Sequence, residues 1–388
     1  MRNWFAPLGA VLLAAVVAVA PAQDERSPQD LHDVLAKIHA TAGVPALGGA
    51  IVDAAGLVAV GAVGKRAAGG AEDVTDDDLW HLGSCTKAMT ATLLARLHEK
   101  EELTFDTTLA GAFPDLVTES KAEWRDVPLA LLLQNRAGVP GDLAGRFPGV
   151  WKSLWDLDRK GAAPRDTRRA LTAAVLERPP DGEPGTAFQY SNAGFAIAGH
   201  AAETRADAPW EDLLRREVFT PLGMGGAGFG APGDAKERDQ PRGHRVAEGG
   251  HVAVPPGPGA DNPRAIGPAG IVHASLADWA RFVRLHLRGA RGDEGLLLRP
   301  ATFATLHTPP AGQDYAMGWN VTERGWARGA DGTGRVLTHA GSNTMWYCVA
   351  WIAPERGFAV LATCNVGGDA GARACDAVSG ALVAHRLR

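Results

Sequence analysis

Leu79-Trp80-His81-Leu82-Gly83-Ser84-Cys85-Thr86-Lys87 is the stretch that decides how this chain is read. A short apolar run ends in glycine. A hydroxyl and an amine then stand three residues apart at the start of an expected helix to about Glu101, with Leu93, Leu94 and Leu97 as its apolar positions. Residues at this spacing share a helix face, so Lys87 reaches the hydroxyl of Ser84. Free serine needs a neighbouring base to act as a nucleophile. Lysine serves as that base only when neutral, against an ordinary pKa of ~10.4. Burial and the positive end of the helix dipole both disfavour its charged form. The same helix start offers the Ser84 backbone N–H to a developing oxyanion. Serine and lysine at this spacing also arise by chance, yet no other serine of the chain has lysine three residues on.

Two later segments add to the pair. The chain has three tyrosines, and only Tyr190 is followed by asparagine two positions on, in Tyr190-Ser191-Asn192. The functional reading makes Tyr190 a proton shuttle beside Ser84 and Lys87, with Asn192 donating its amide to a substrate carbonyl. The plain reading is a packed ring and an N-cap asparagine. Charged Lys87 with Tyr190 phenolate, or both groups neutral, are two placements of one proton, and both stay open. His339-Ala340-Gly341 closes an expected strand. The functional reading makes His339 a substrate-binding residue, against the plain reading of a structural histidine at a strand end; Gly341 lets a ligand approach the backbone, and Ser342 N–H is placed to be the second oxyanion donor.

The order and spacing of these three segments resemble the serine β-lactamase and penicillin-binding superfamily, most closely its class C β-lactamase, D,D-peptidase and esterase branch. The likeness covers nearly the whole chain after its first residues. Leu131 to Pro140, Pro221-Leu222-Gly223-Met224 and Gly318-Trp319 add to it. It implies a Ser84–Lys87–Tyr190 catalytic group, backbone oxyanion donors at Ser84 and Ser342, and no cofactor. It also implies an α/β (α+β), two-lobed fold with an antiparallel sheet flanked by helices plus a helical lobe. Residues 23–82 and 312–388 would form the discontinuous α/β lobe, and 83–311 the helical one.

Two departures bear on substrate. His339 stands where lysine is usual, and imidazole, unlike ammonium, changes charge near neutrality. Ala340 stands where threonine or serine is usual, whose hydroxyl helps hold a β-lactam carboxylate. A lost hydrogen bond to a charged group costs roughly 1.5–3 kcal/mol, and Ser342 or Asn343 is the candidate substitute. The balance favours an esterase or D,D-peptidase over an efficient β-lactamase. The substrate class is an ester, a D-amino-acid peptide or amide, or a β-lactam. The competing reading is a non-catalytic binding protein that recognises cell-wall fragments.

Other features bound the function. With 388 residues, net charge -5 and 46% hydrophobic residues, the chain is ordinary globular protein with no broad basic field for nucleic acid. Met1 to Ala22 reads as a signal peptide, with a positive start, an Ala/Val/Leu core and cleavage after Ala22. This implies a periplasmic or secreted protein with no stable membrane insertion after cleavage; a retained anchor helix is the other reading. Export permits disulfides. Cys348 and Cys364 lie on two expected strands, where a one-residue change of register decides whether they face each other. The twelve histidines show no HExxH and no Cys/His cluster at ligand spacing, so no metal is expected. The partner is a small-molecule or peptide substrate, and the oligomeric state is not legible.

Along the chain, helices are expected at Pro28–Ala42, Asp166–Glu177, Asn192–Thr204 and Asp369–Leu387. Another begins at Ser275 with Asp278 placed as in a capping box. Strands are expected at Ala46–Val52, Leu57–Val63, Arg335–Thr338, Thr344–Ile352 and Phe358–Cys364. Asp76 to Asp78 reads as a solvated loop, and His244 to Gly270 as a long irregular one.

Overall fold

The computed structural model describes residues 29–117, 121–248 and 250–388. The expected signal segment at 1–22 lies outside the described residues. In chain order the strands are β1 (Gln29–Asp30), β2 (Ala46–Asp53), β3 (Leu57–Gly64), β4 (Leu79–His81), β5 (Gly228–Phe229), β6 (Gly243–Ala247), β7 (Gly250–Val254), β8 (Val272–Ser275), β9 (Asn320–Glu323), β10 (Arg335–Ser342), β11 (Tyr347–Ala353) and β12 (Phe358–Cys364).

The main sheet runs β1-β3-β2-β12-β11-β10-β9, antiparallel throughout except where β1 meets β3. The two ends of the chain meet at its centre, where Leu47 lies opposite Cys364 and Val52 opposite Ala359. Alternation along β2 explains the layering. Ala46, Ala50 and Val52 join the core that includes Leu276, Trp279 and Phe282 of the helix Leu276–Ala290. Leu47 and Ile51 face the other way, into the cluster holding Leu35 of the helix His32–Ala42 and Val378 and Leu382 of the helix Gly368–Leu387. With both faces covered, β12 is buried at every residue and reads as an unbroken apolar run.

The expected helical middle is present, with the helices Pro164–Leu176 and Asn192–Ala206 packed on each other. It also holds a small sheet in the order β4-β8-β5, too short to carry a periodic signal. The helix Thr86–Glu99 runs through the apolar core and is buried on nearly all sides.

Several expectations need correction. The segment 244–270 is not irregular throughout, because β6 and β7 form a hairpin. Asp78 is not solvated: it is 1% exposed, and its carboxylate takes Arg66 and the backbone N–H of Thr75. The first helix starts at His32, because Gln29 and Asp30 pair with β3. Strand β11 starts at Tyr347 because Thr344 adopts a left-handed φ of 77°. The Ser275 hydroxyl caps its helix by accepting from Asp278 N, but the Asp278 carboxylate turns to Gly226 N and Arg281 instead of completing the box. Cys348 lies opposite Thr363 and Cys364 opposite Tyr347, so the two thiols take opposite faces, and all four cysteines are free.

Candidate active site

Strand β4 delivers the chain to Gly83, whose φ of 45° turns it into a 3-10 turn, Gly83–Cys85, and then into the helix at Thr86. Few side chains tolerate that backbone. A Cβ on Gly83 would also lie 2.3 Å from Ser342 N, and one on Gly341 would lie 2.0 Å from Leu82 O and 2.9 Å from Ser84 N. The end of β10 therefore runs in backbone contact with the turn that carries Ser84. Glycine at both positions makes the contact possible, and it brings the N–H groups of Ser84 and Ser342 into one neighbourhood.

Ser84 Oγ sits between two partners. Tyr190 OH donates to it at 2.7 Å, and Lys87 Nζ stands 3.1 Å away. The lysine is fully buried, and its nitrogen also lies 2.7 Å from Asn192 Oδ1 and 2.9 Å from Ala269 O. Both oxygens are pure acceptors. A neutral amine has two N–H bonds for them and a lone pair left for the Ser84 hydroxyl. Burial lowers the Lys87 pKa to about 7. Burial raises that of Tyr190, although the residue as a whole is 37% exposed. Both shifts favour neutral lysine with protonated tyrosine over charged lysine with phenolate.

The local sequence explains the placement of Tyr190 and Asn192. Ser191, not Asn192, is the N-cap; its hydroxyl accepts from Gly194 N. Asn192 is thus the first helical residue, and its side chain is released toward Lys87. The preceding segment is held by Asn135, whose side chain accepts from Ser191 N and whose carbonyl accepts from Gln189 N. Asn135 sits at φ 55° in the left-handed region where asparagine is tolerated.

His339 lies beside the site, its ring centroid 6.4 Å from that of Tyr190. Its nitrogens are engaged within the protein, Nδ1 with Ala340 O at 2.6 Å and Nε2 with Tyr315 OH at 3.2 Å. The carbonyl partner places a proton on Nδ1. Asn343 is turned inward: its amide donates to Ala260 O and Asp261 Oδ1, and its oxygen accepts from Met345 N. The arrangement brings Ser84, Lys87, Tyr190, Asn192, Gly341 and Ser342 together, sets His339 at the edge, and leaves Asn343 a bracing residue instead of an open ligand.

Sequence reasoning missed Tyr315, a buried ring between Phe188, Tyr190 and His339. Burial holds its hydroxyl well above the usual phenol range, so it stays a donor. It also missed Ala269 O, a backbone acceptor that no residue type announces, and the pair His81 and Asp261. A surface cavity of about 220 Å³ lined by Phe113, Arg165, Arg169 and His200 shares no residue with this site. Among the described residues no group of three or more His, Cys, Asp or Glu side chains is placed to hold a metal. No described helix is long and apolar enough to cross a membrane.

The Beta-lactamase family model matches residues 31–385. Penicillin-binding protein 4 of Amycolatopsis lactamdurans is 30% identical over 262 residues, covering 66% of this chain and 63% of that protein. Unguisins hydrolase ungD' of Aspergillus campestris is 25% identical over 320 residues, covering 76% and 53%. The chain thus spans between half and two thirds of the length of these curated relatives. Among solved structures, the D-amino acid amidase from Ochrobactrum anthropi SV3 in complex with L-phenylalanine amide matches with a TM-score of 0.69 at 21% identity. The match covers 92% of this chain and 99% of that one, a likeness of fold.

Proposed function

The chain belongs to the beta-lactamase family, and on that premise we propose that it is a serine hydrolase in which Ser84 forms a covalent acyl-enzyme. The observation that carries this reading is the pair of contacts on Ser84 Oγ, with Lys87 Nζ at 3.1 Å and Tyr190 OH at 2.7 Å.

Neutral Lys87 takes the Ser84 proton as the oxygen attacks the substrate carbonyl. The tetrahedral oxyanion is held by the backbone N–H groups of Ser84 and Ser342. With its oxygen committed to Lys87, Asn192 has its amide nitrogen available to the substrate. Tyr190 gives its proton to the leaving group and regains one from the Lys87 ammonium. In the second half, water loses a proton through the same pair and attacks the acyl ester, and Ser84 leaves with its proton restored.

The substrate we favour is an ester or a D-amino-acid amide or peptide, over efficient turnover of a β-lactam. Ala340 offers no hydroxyl to a ligand carboxylate, and His339 has both nitrogens engaged. The relatives are named for penicillin binding and for unguisin hydrolysis, and the structural neighbour for amidase activity, which supports acyl transfer of this breadth. Residues 1–22 support export to the periplasm or medium.

The test compares wild type with Ser84→Ala on p-nitrophenyl acetate and butyrate, nitrocefin and a D-Ala-D-Ala peptide. Turnover of an ester or the peptide that vanishes in the variant is the expected result. Turnover that persists in Ser84→Ala overturns the reading. So does a folded wild type that neither turns over any of these nor retains an acylating fluorophosphonate; that outcome promotes the binding-protein reading.

A further inference from the structure

Three buried polar residues meet where the two segments carrying the oxyanion N–H groups come together. His81 ends β4, two residues before Gly83. Asn343 follows β10 immediately after Ser342. Asp261 lies between two 3-10 turns, Pro258–Ala260 and Arg264–Ile266. His81 is fully buried and the Asp261 side chain is 8% exposed.

His81 Nδ1 accepts the N–H of Gly83 at 3.1 Å. That contact keeps Nδ1 bare and puts the ring proton on Nε2. Nε2 lies 2.9 Å from Asp261 Oδ1, off the axis of a linear hydrogen bond. The ring is stacked on Trp346, which fixes its plane. From the other side, Asn343 Nδ2 donates to the same Oδ1 at 3.3 Å and to Ala260 O at 3.2 Å. Asn343 Oδ1 then accepts Met345 N, and Ser342 Oγ accepts Thr344 N at 2.9 Å, which sets the turn that follows Ser342.

One carboxylate oxygen thus contacts both segments, through His81 toward Gly83 and Ser84, and through Asn343 toward Ser342. The other oxygen, Oδ2, is buried without a hydrogen-bond partner among the described residues. Oδ1 also accepts the backbone N–H of Asn262 at 2.7 Å, which fixes the carboxylate within its own loop, and the unpaired second oxygen costs stability. The placement of Asp261 makes sense as alignment of the two donors.

We propose that Asp261 is a positioning residue that aligns the Ser84 and Ser342 oxyanion donors through His81 and Asn343. The inference rests on the proposed acyl-enzyme reading. Oxyanion donors act by being fixed before charge develops, and small misplacements are expensive. Asp261 therefore acts on the transition state more than on substrate binding.

The experiment measures kcat, KM and the inhibition constant of phenylboronic acid, whose tetrahedral adduct presents an oxygen to the donors. It uses wild type, Asp261→Ala, Asp261→Asn and His81→Asn, each normalised to folded protein by circular dichroism. In Asp261→Ala, kcat falls about 10- to 100-fold and phenylboronic acid weakens by a similar factor, while KM changes by less than about threefold. Asp261→Asn keeps an oxygen acceptor and recovers most of the loss. If the alanine variant fails to fold, His81→Asn decides: it keeps an acceptor for Gly83 N, breaks the contact with Asp261, and lowers kcat with little change in KM. Unchanged kcat and boronate affinity in the folded variants, or a rise in KM alone, overturns the proposal. Fluorophosphonate labelling separates the two levels. A wild type labelled at Ser84 with variants behaving alike removes only the role of Asp261; an unlabelled wild type removes the catalytic reading and this proposal with it.

Discussion

Lys87 Nζ lies 2.7 Å from Asn192 Oδ1, and this contact helps decide which way the amine faces its neighbours. With Ala269 O as a second acceptor, the nitrogen has two oxygens to satisfy and one hydroxyl, that of Ser84, left to receive. A neutral amine matches the set, and burial lowers the lysine pKa to about 7. The protein spends little on a counter-charge: neither contacting oxygen carries one. In the proposed mechanism burial favours the neutral form of Lys87, and Asn192 orients its amine.

The rate of Ser84 acylation should therefore follow the neutral fraction of Lys87. It rises with pH through about 7, where burial has brought the lysine, and levels off above. Below that point it falls by about tenfold per pH unit, because the protonated amine cannot accept the serine proton. Burst-phase kinetics with p-nitrophenyl butyrate measure this. A rate constant that stays flat from about pH 5.5 to about pH 8 contradicts the assignment.

Replacing Asn192 by aspartate puts a carboxylate where the amide oxygen stands, 2.7 Å from the amine. An opposite charge this close favours the charged lysine by about 1–3 pKa units. Asn192→Asp should lose at least about tenfold in acylation rate near neutrality and regain much of it at alkaline pH. A uniform loss at every pH would mean that Asn192 serves only the substrate.

Gly83 holds a φ of 45°, and a Cβ there would stand 2.3 Å from Ser342 N. Gly83→Ala should push the turn and β10 apart and misplace an oxyanion donor on each side. Loss of one donor costs about 10²–10³ in kcat, and the variant should show a loss of this size per folded molecule. Activity within about threefold of wild type would separate the two segments functionally.

Acid should destabilise the fold before most carboxylates titrate. Burial lowers His273 to about 4 and His286 to about 3, and it holds His307 well below the usual imidazole range. His286 and His307 share a hydrogen bond at 2.8 Å in the core. The unfolded chain takes these protons from about pH 6.5 downward and the folded chain does not, so stability falls as pH drops below that point. Exposed His32, raised by Asp30, acts in the opposite sense but is largely screened by solvent. Melting temperature against pH should decline from about 6.5 toward about 4; a flat profile down to about pH 5 contradicts this.

The sheet was legible because β2, β3, β11 and β12 are strongly apolar runs bounded by turns, and their pairing across the chain ends follows from covering both faces. Residues 79–81 and 272–275 were not read as strands because three or four residues carry no measurable period. The meeting of Ser84, Lys87 and Tyr190 was legible because residue type and spacing point to it. Ala269 was not, since its contribution is a backbone carbonyl. Tyr315 and Asp261 were hidden for another reason: Tyr315 lies in sequence far from Tyr190 and His339, as Asp261 does from His81 and Asn343, and nothing beside either suggests chemistry. Asn343 was misread because only the fold shows that its amide turns inward to Asp261.

The central claim is that Ser84 carries the acyl group during turnover. Wild type and Ser84→Ala are mixed with p-nitrophenyl butyrate, quenched in acid within the burst, and measured by intact-protein mass spectrometry with peptide mapping. The account predicts wild type heavier by one butyryl group, mapped to the peptide that contains Ser84, and Ser84→Ala unchanged. An adduct on another residue in both proteins, or turnover by wild type with no adduct at any quench time, would contradict it.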